Sequence, residues 1–312
     1  MTRASAQKQD GPQLDFCILG GSKSGKTALK GYLRTHPQVF LTETESSFYA
    51  DDIAEYRLDI QAIDRQAYCE LFAGAAEGQL LGQMSGSYLL SARAVPNILK
   101  DNPNARFIVM LRNPVDMAHS LHSDLFRRHY EDESSLQKAW ELQDARAADK
   151  RILAGWKKPK LLLYRERCSF AAQIERLFER VQRERLLVHV YEEFFADLRG
   201  SYLHTLAFLG LPDDGRRNFE RIEEHAIPRS WLLNRLLYRP PFPLNRLYPS
   251  LKRALNAFGL RPFAAAVRAN RRTEKFASLD ASFRRQLEAE FRPDVARLEA
   301  ILGRSIDVWR SS

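Results

Sequence analysis

The stretch that most constrains the fold runs from Leu14 to Leu33 and reads LDFCILGGSKSGKTALKGYL. Its apolar run from Phe16 to Leu19 has the length and composition of a strand that is buried on both faces. A glycine-rich turn, Gly20 to Gly25, follows at once. From Lys26 onward, apolar residues recur at the spacing of one helical face. The order predicts a strand that leads through a tight turn into the start of a helix.

This turn is a candidate binding site for phosphate or sulfate. Small residues leave successive backbone N–H groups unpaired at a helix N-terminus, where the helix dipole adds its positive end. Lys23 and Lys26 lie within or beside the turn and can reach a polyanion from two sides. The alternative is a tight turn whose lysines are merely solvated. The pattern Gly20-x4-Gly25-Lys26-Thr27 favours anion binding, because the flanking elements that its mechanism requires are present.

The rest of the chain alternates predicted strands and helices. Further strands are predicted at Val39 to Leu41, Leu80 to Met84, Arg106 to Leu111 and Leu186 to Val190. Helical patterns cover Asp51 to Gly78 and Leu121 to Trp156, and a long amphipathic helix runs from Phe283 to Leu302. This alternation predicts an α/β fold, P-loop-like, with three layers (α/β/α) and a central, mostly parallel sheet. We expect a single domain over residues 14–312 after a disordered tail at residues 1–13.

Two segments that follow predicted strands are further candidates for chemistry. Val39 to Leu41 runs into Glu43 and Glu45, and residues just past a strand's carboxyl end face the ligand crevice of an open parallel sheet. Either glutamate is a candidate general base, the alternative being an ordinary exposed carboxylate. The strand Arg106 to Leu111 ends in Arg112, and Ser120 lies about two turns into the next helix. An arginine and a hydroxyl there suit a second phosphate, as in a nucleotide with two separated phosphate groups.

The positive charge of the chain is concentrated in one region. The formal net charge is +9, and the segment from Arg229 to Lys275 alone contains eleven Lys or Arg against one acid, Glu274. We expect a local anionic partner and not nucleic acid, because no nucleic-acid recognition motif accompanies the charge. Aromatic residues and leucines alternate with these arginines. The segment therefore suits a cover over the active site, a docking surface for an acidic or amphiphilic acceptor, a peripheral membrane contact through residues 229–268, or short helices with a solvated basic face.

Composition excludes several classes of protein. The three cysteines are too few and too scattered for a disulfide framework, and the seven histidines do not cluster at ligand spacing, so no metal site is predicted. No apolar run approaches the length of a membrane span. The first thirteen residues lack the apolar core of a secretion signal, which favours a cytoplasmic location.

Several motifs together resemble a known family. The most specific are Gly21 to Leu29 with His36-Pro37 downstream, and Arg106 to Ser120 as strand, turn and helix. Supporting matches are Tyr191-Glu192, Phe208 to Leu211, and the ending from Arg297 through Gly303 to Trp309. On these residues the chain resembles the sulfotransferases that use 3′-phosphoadenosine-5′-phosphosulfate (PAPS), in particular their bacterial and heparan-sulfate-type branch.

The resemblance implies roles for particular residues. The 5′-phosphosulfate would be bound by the loop residues Gly21, Ser22, Lys23, Ser24, Gly25, Lys26, Thr27 and Ala28. Lys23 would draw charge from the bridging oxygen as the sulfuryl group departs, and Glu45 aligns with the family's base. Arg112 and Ser120 would hold the 3′-phosphate, while Arg271, Arg272 and Lys275 match a late basic loop that closes over the nucleotide. No metal is expected.

The chain also departs from the family pattern. Lys26 stands where the family usually has threonine, and Gln83 where an acid is common. Thr44-Glu45-Ser46 replaces the frequent Lys-Glu-Pro, which keeps His119 and His122 open as alternative bases.

The implied function is in-line transfer of a sulfuryl group from PAPS to a hydroxyl or amine of an acceptor, expected to be a carbohydrate or an amphiphilic small molecule. The first alternative is a P-loop ATP-dependent kinase or NTPase. Such enzymes need an acid at a strand end to hold magnesium, whereas the clearest strand ends in Arg112. A second alternative, a non-catalytic binding module that uses the basic segment, leaves both phosphate-facing sites unexplained.

Overall fold

A computed structural model describes residues 11–53, 63–148, 159–220, 226–238, 262–273 and 278–310 of the chain. Residues 1–10 of the predicted tail, residues 239–261 of the basic segment, and Lys275 lie outside these ranges.

A parallel sheet of five strands, in the order β2-β3-β1-β4-β5, organises the structure. The strands are β1 Phe16–Gly20, β2 Val39–Leu41, β3 Leu80–Met84, β4 Arg106–Leu111 and β5 Leu186–Val190. In the middle of the sheet, Ile18 of β1 pairs with Met84 on one side and Ile108 on the other. All five predicted strands are confirmed, because continuous apolar runs of this length are buried on both faces as expected.

Helices cover both faces of this sheet. Those that bear on the site or the core are α1 Lys26–Leu33, α2 Arg65–Glu70, α3 Ala94–Asp101, α4 Pro114–Arg127, α5 Leu136–Glu141, α6 Gln143–Ala147, α7 Tyr164–Cys168, α8 Ala171–Arg180, α9 Tyr191–Ala196, α10 Leu198–Leu209, α11 Trp231–Tyr238, α12 Pro262–Ala269 and α13 Ala281–Leu302. Two further strands form a separate antiparallel pair. They are β6 Ala226–Pro228, which precedes α11, and β7 Arg271–Thr273, which follows α12.

The two cores arise from the alternation of side chains along the strands. Leu19 and Val109 belong to a cluster that includes residues of α3, α4, α8 and α13. Ile18 and Ile108, the neighbouring positions, belong to a second cluster with residues of α1, α9 and α10. Successive strand side chains point to opposite faces, so each face buries its own set. The predicted three-layer α/β/α fold is confirmed.

The helical pattern predicted from Leu121 to Trp156 is confirmed in part and interrupted between residues 128 and 135, while residues 149–156 lie outside the described ranges. α4 ends at Arg127, His129 adopts a positive φ of 58°, and α5 begins only after Ser135, whose side chain accepts a hydrogen bond from Lys138 N. A buried ion pair explains the break: Glu131 lies 2.6 Å from the guanidinium of Arg146, and both side chains are almost fully buried. The chain must turn inward to bring this carboxylate to its partner.

Two smaller predictions also differ from the structure. Within the described part of Asp51 to Gly78, the α-helix is limited to α2, and residues 71–78 form turns. The basic loop predicted around residue 271 is instead the strand β7, because Arg271 pairs with Pro228 across an antiparallel ladder. The terminal helix is confirmed as α13, which Asp280 caps and Gly303 ends with a φ of 69°.

The helices that follow β1 and β4 diverge. α1 packs on one face of the sheet through Leu29 and Leu33, whereas α4 packs on the other through Val115 and Leu121. Because β1 and β4 are neighbours, their carboxyl ends mark the point of the sheet at which the chain connections diverge, which is where open α/β sheets usually bind ligands. The candidate site lies at this edge of the sheet.

Candidate active site

The loop between β1 and α1 has a backbone that only glycine can adopt at two points. Gly20 has a φ of 138°, and a Cβ there would lie 2.2 Å from the carbonyl oxygen of Met110. Gly25 has a φ of 86°, and a Cβ there would lie 2.9 Å from the ring of Phe195. The loop therefore turns sharply while pressed against β4 and α9.

Side chains fix the shape of this loop from within. Ser24 Oγ donates to the Gly21 carbonyl at 2.7 Å, and Lys26 Nζ donates to the same oxygen at 2.5 Å. Arg167, a buried residue of α7, donates to Ser22 Oγ at 3.0 Å. Ser24 and Lys26 are both buried. The ammonium group of Lys26 thus contributes to holding the loop in shape.

Lys23 differs from Lys26 in backbone and exposure. Its φ of 66° lies in the left-handed region, which is uncommon for a lysine, and its side chain is half-buried. Burial acts to raise the pKa of Asp124, but the charges of Arg128, Arg127 and Lys23 outweigh it and lower that pKa. Lys23 therefore contributes positive charge on the side of the loop that faces α4.

The N-terminus of α1 lies at the end of the same loop. Gly25 is its N-cap, and no described side chain caps its first turn. Thr27 is exposed and Ala28 is half-buried at this end. Backbone N–H groups in the first turn of a helix have no partner within the helix, so they are available to an anion.

Arg112 joins the end of β4 to the loop. Its Nη1 donates to the Lys23 carbonyl at 2.9 Å, and its guanidinium lies 4.6 Å from the centre of the Tyr191 ring. Its Nε is buried and has no hydrogen-bond partner among the described residues. On α4, Ser120 Oγ is also buried and has no hydrogen-bond partner in the described part of the chain. Both atoms belong to residues of the predicted second anion site.

The turn after Arg112 is held from two distant parts of the chain. Asn113 Oδ1 caps α4 by accepting from Val115 N at 2.9 Å, while Asn113 N donates to Glu192 Oε1 at 3.0 Å. The other oxygen of Glu192 accepts from Trp309 Nε1 at 2.8 Å. The sequence pattern pointed to Glu192 and Trp309 only as supporting matches and missed this role.

Glu45 lies beyond the end of β2 and is half-buried. Its Oε2 accepts a hydrogen bond from Gly86 N, just past β3, at 3.0 Å. Lys30 of α1 donates to the Glu43 carbonyl at 2.6 Å. Burial lowers the pKa of Lys30, and the nearby charge of Glu45 acts in the opposite direction. α1 thus anchors the segment that carries Glu45.

Sequence reasoning missed Lys30, although a signal was available. Lys30 follows Lys26 by one helical turn on the face where Leu29 and Leu33 are buried. A lysine that is only 8% exposed on such a face needs an acceptor, which here is the Glu43 carbonyl.

The alternative bases lie in different surroundings. His122 is buried, its Nε2 hydrogen-bonds the Glu133 carbonyl at 2.9 Å, and burial lowers its pKa. A carbonyl can only accept, so Nε2 carries the proton and Nδ1 is the nitrogen of His122 that can accept one. His119 is half-buried on the same helix. Gln83, at the position where an acid is common in the family, donates to Ser46 Oγ at 2.6 Å.

The structure thus places the loop residues 21–28, Arg112 and Glu45 at the same edge of the sheet, after the carboxyl ends of β1, β4 and β2. Arg271 and Arg272 lie in β7, paired with β6, and Lys275 falls outside the described residues. Across the described ranges, no three His, Cys, Asp or Glu side chains converge in a way that could hold a metal ion. No helix within those ranges is long and apolar enough to span a bilayer.

Comparison with known proteins decides the family. The family profile described as "Sulfotransferase domain" matches residues 13–230, which is more than half of the chain. The chain belongs to the sulfotransferase family. The predicted class of enzyme is therefore confirmed, and the β1–α1 loop, Arg112, Ser120 and Glu45 all lie within the matched sulfotransferase domain.

Two similar proteins extend this result. The crystal structure of a sulfotransferase from Alicyclobacillus acidocaldarius superposes on this sulfotransferase with a TM-score of 0.69 at 23% identity, covering 96% of this chain and 99% of that chain. This likeness supports the fold. The membrane-associated sulfotransferase kil1 of Dictyostelium discoideum is 27% identical over 107 residues, which is 33% of this chain and 21% of kil1.

Proposed function

We propose that this sulfotransferase uses PAPS as its donor and transfers the sulfuryl group in line to a hydroxyl or amine of an acceptor. The observation that carries the proposal is the position of Arg112, which follows β4 and donates to the Lys23 carbonyl; its Nε and Ser120 Oγ are among the buried groups without a hydrogen-bond partner in the described ranges. A buried polar group left unpaired costs about 1–3 kcal/mol, so a ligand that forms hydrogen bonds with both groups is favoured. The 3′-phosphate of PAPS supplies acceptor oxygens for an arginine and a hydroxyl.

The β1–α1 loop suits the other end of the donor. We assign the 5′-phosphosulfate to residues 21–28, where the N-terminus of α1 and the charge of Lys23 favour an anion. Arg112 connects the two ends, because its Nη1 already holds the Lys23 carbonyl. Arg271, Arg272 and Lys275 are assigned to the closure of the basic region over the nucleotide.

PAPS supplies the activated sulfuryl group. The residues of the chain have to bind it, stabilise the charge that develops on the leaving oxygen, and remove a proton from the acceptor. Fixed N–H groups and a lysine do the first two tasks without reorganising, which is why such donors contribute strongly to group transfer. We assign Lys23 to the leaving oxygen and Glu45 to the acceptor proton.

The kinase alternative fits the site less well. An ATP-dependent P-loop enzyme uses the lysine of its Gly-Lys-Thr sequence on the phosphates and an acid at a strand end for magnesium. Here the corresponding Lys26 is buried and donates to the Gly21 carbonyl, and Arg112 stands at the end of β4.

Calorimetry with 3′-phosphoadenosine-5′-phosphate (PAP) and ATP tests the donor. We expect PAP to bind tightly with or without magnesium and ATP to bind weakly in both conditions, since ATP has no 3′-phosphate for Arg112 and Ser120. ATP binding that requires magnesium and exceeds the affinity for PAP would contradict the proposal.

Replacing Glu45 with glutamine tests the assignment of the base. Glutamine retains an oxygen for Gly86 N but cannot take a proton, so we expect kcat to fall by about 100- to 10,000-fold while PAP affinity is unchanged. Glu43→Gln is the matched control, because Glu43 is exposed and contributes its backbone carbonyl to Lys30. Full activity of Glu45→Gln would remove Glu45 from the mechanism and make His119→Gln and His122→Gln the next variants to assay.

The acceptor is proposed at the level of chemical class. A carbohydrate or an amphiphilic small molecule with a free hydroxyl or amine suits the basic and aromatic region after residue 229. Screening acceptors of both classes with labelled PAPS distinguishes O-sulfation from N-sulfation. The cytoplasmic location and the heparan-sulfate-type branch stay predictions.

A further inference from the structure

Helix α11 exposes an unusual amount of apolar surface. Among the described residues, five large hydrophobic side chains are exposed, and four of them lie on this one short helix: Trp231, Leu232, Leu233 and Leu236. Leu232 is the most exposed of them at 71%. Scattered apolar residues are ordinary on protein surfaces, whereas a contiguous set marks an interaction site.

The opposite face of α11 is firmly attached to the protein. Asn234 is buried, its side chain donates to the Arg127 carbonyl at 2.5 Å, and it lies 3.3 Å from the His129 ring nitrogen. The Trp231 ring packs against Phe126 at 5.3 Å between ring centres. The helix is also held at its start, since Ser230 and Asn270 exchange two hydrogen bonds of 2.9 Å.

Helical geometry then determines what points outward. Leu232 and Leu236 are four residues apart and lie on the side of the helix opposite Asn234, so they form one ridge. Leu233 and Arg235 flank this ridge, and both are exposed. The outward surface is thus an apolar ridge bordered by a cationic side chain, which is the pattern of a helix that lies in a membrane interface.

Charge distinguishes among the possible occupants of this surface. The sequence has no acidic residue from Ala226 to Thr273, but it has ten Lys or Arg there. A second copy of the chain docked through the same face, or the chain's own residues 239–261, would bring further positive charge against Arg235. An anionic lipid surface brings the opposite charge and offers an apolar interior to the leucines.

We infer that the outward face of α11, with Leu232 and Leu236 at its centre and Arg235 beside them, docks this sulfotransferase on an anionic membrane surface. The inference does not depend on the donor, because neither the leucine ridge nor Arg235 is among the residues assigned to PAPS. A variant that loses lipid binding is therefore expected to retain PAP binding, and a variant that loses PAP binding is expected to retain lipid binding.

Sedimentation with lipid vesicles tests the inference. We expect the full chain to sediment with vesicles of phosphatidylcholine mixed with phosphatidylglycerol, and much less with vesicles of pure phosphatidylcholine. Binding to the anionic vesicles should fall as salt is raised. The double variant Leu232→Gln/Leu236→Gln should weaken binding to the anionic vesicles by at least about tenfold. Both leucines are exposed, so the melting temperature and the affinity for PAP should stay unchanged.

Matched controls separate the helix from general surface properties. Val308→Gln removes the remaining exposed large hydrophobic residue of the described set, at 36% exposure, and should leave vesicle binding intact. Arg235→Gln should weaken binding to anionic vesicles, whereas Arg180→Gln, which removes an exposed arginine at the end of α8, should not. A blue shift of tryptophan emission on adding anionic vesicles should disappear in Trp231→Phe.

Several results would overturn the inference. These are equal sedimentation with both kinds of vesicle, sedimentation with neither, or binding by Leu232→Gln/Leu236→Gln at the level of the unmodified chain. A dimer in size-exclusion chromatography that the same double variant dissociates would assign the ridge to a second copy of the chain instead.

Discussion

Lys23→Ala is expected to lower kcat by about 100- to 1,000-fold, the effect of removing one fixed donor to developing negative charge. The loop should keep its shape, since its internal hydrogen bonds come from Ser24, Lys26 and Arg167. Alanine also adopts the left-handed backbone of residue 23 at no greater cost than lysine. Steady-state kinetics with labelled PAPS measure the loss, and thermal unfolding monitors the fold.

Two other lysines provide the comparison. Lys100→Ala removes an exposed lysine of α3 and should leave both kcat and the melting temperature unchanged. Lys26→Ala removes a buried donor to the Gly21 carbonyl, so we expect a lower melting temperature and weaker PAP binding. If Lys26→Ala abolishes turnover with the fold intact and Lys23→Ala does not, the roles of the two lysines are reversed and the kinase alternative regains support.

Ser120→Ala is expected to weaken PAP binding by about tenfold, the loss of one hydrogen bond to a charged group, without destabilising the protein. Its Oγ is buried and has no partner among the described residues, so its removal breaks no contact seen in the fold. Because an unsatisfied buried hydroxyl is unfavourable, the melting temperature should stay the same or rise slightly. AMP, the same nucleotide without the 3′-phosphate, should bind the variant and the unmodified chain equally.

Arg112→Gln should have the larger effect, about 10- to 100-fold on the dissociation constant of PAP. This variant also loses the hydrogen bond to the Lys23 carbonyl, so some loss of AMP affinity is expected as well. The difference between PAP and AMP, measured by calorimetry, isolates the 3′-phosphate contribution. An equal loss for both nucleotides in Arg112→Gln and no loss for either in Ser120→Ala would contradict the assignment of the 3′-phosphate to these residues.

The strands could be predicted because their cause is local. Arg106 to Leu111 is a continuous apolar run, and a run of that length can only be buried on both faces. The helical pattern from Leu121 to Trp156 is interrupted at residues 128–135 for the opposite reason. Its local pattern is helical, but the pairing of Glu131 with Arg146 and Tyr164 pulls residues 128–135 out of the helix. A contact between distant residues overrode the local preference.

The candidate site divides in the same way. The strand, the glycine turn and the helix start place Lys23 and the α1 N-terminus by sequence alone, and Arg112 follows from the end of β4. The different burial and backbone conformation of Lys23 and Lys26 could not be predicted from the sequence. Lys26 belongs to the familiar Gly-Lys-Thr pattern, yet it is buried against the Gly21 carbonyl, while Lys23 has the unusual backbone.

The amino-acid sequence by itself determined the elements of this protein: five buried strands, the glycine turn between Gly20 and Gly25, and a cationic segment after residue 229. Only the tertiary structure decided how they support one another. Asn113 N meets Glu192 across 79 residues of chain, and Trp309 meets the same carboxylate across 117. The tertiary structure also buries Asn234, so that Leu232 and Leu236 on the opposite side of α11 face outward. Burial and charge pairing depend on what the folded chain brings together, whereas strand and turn formation depend on neighbouring residues.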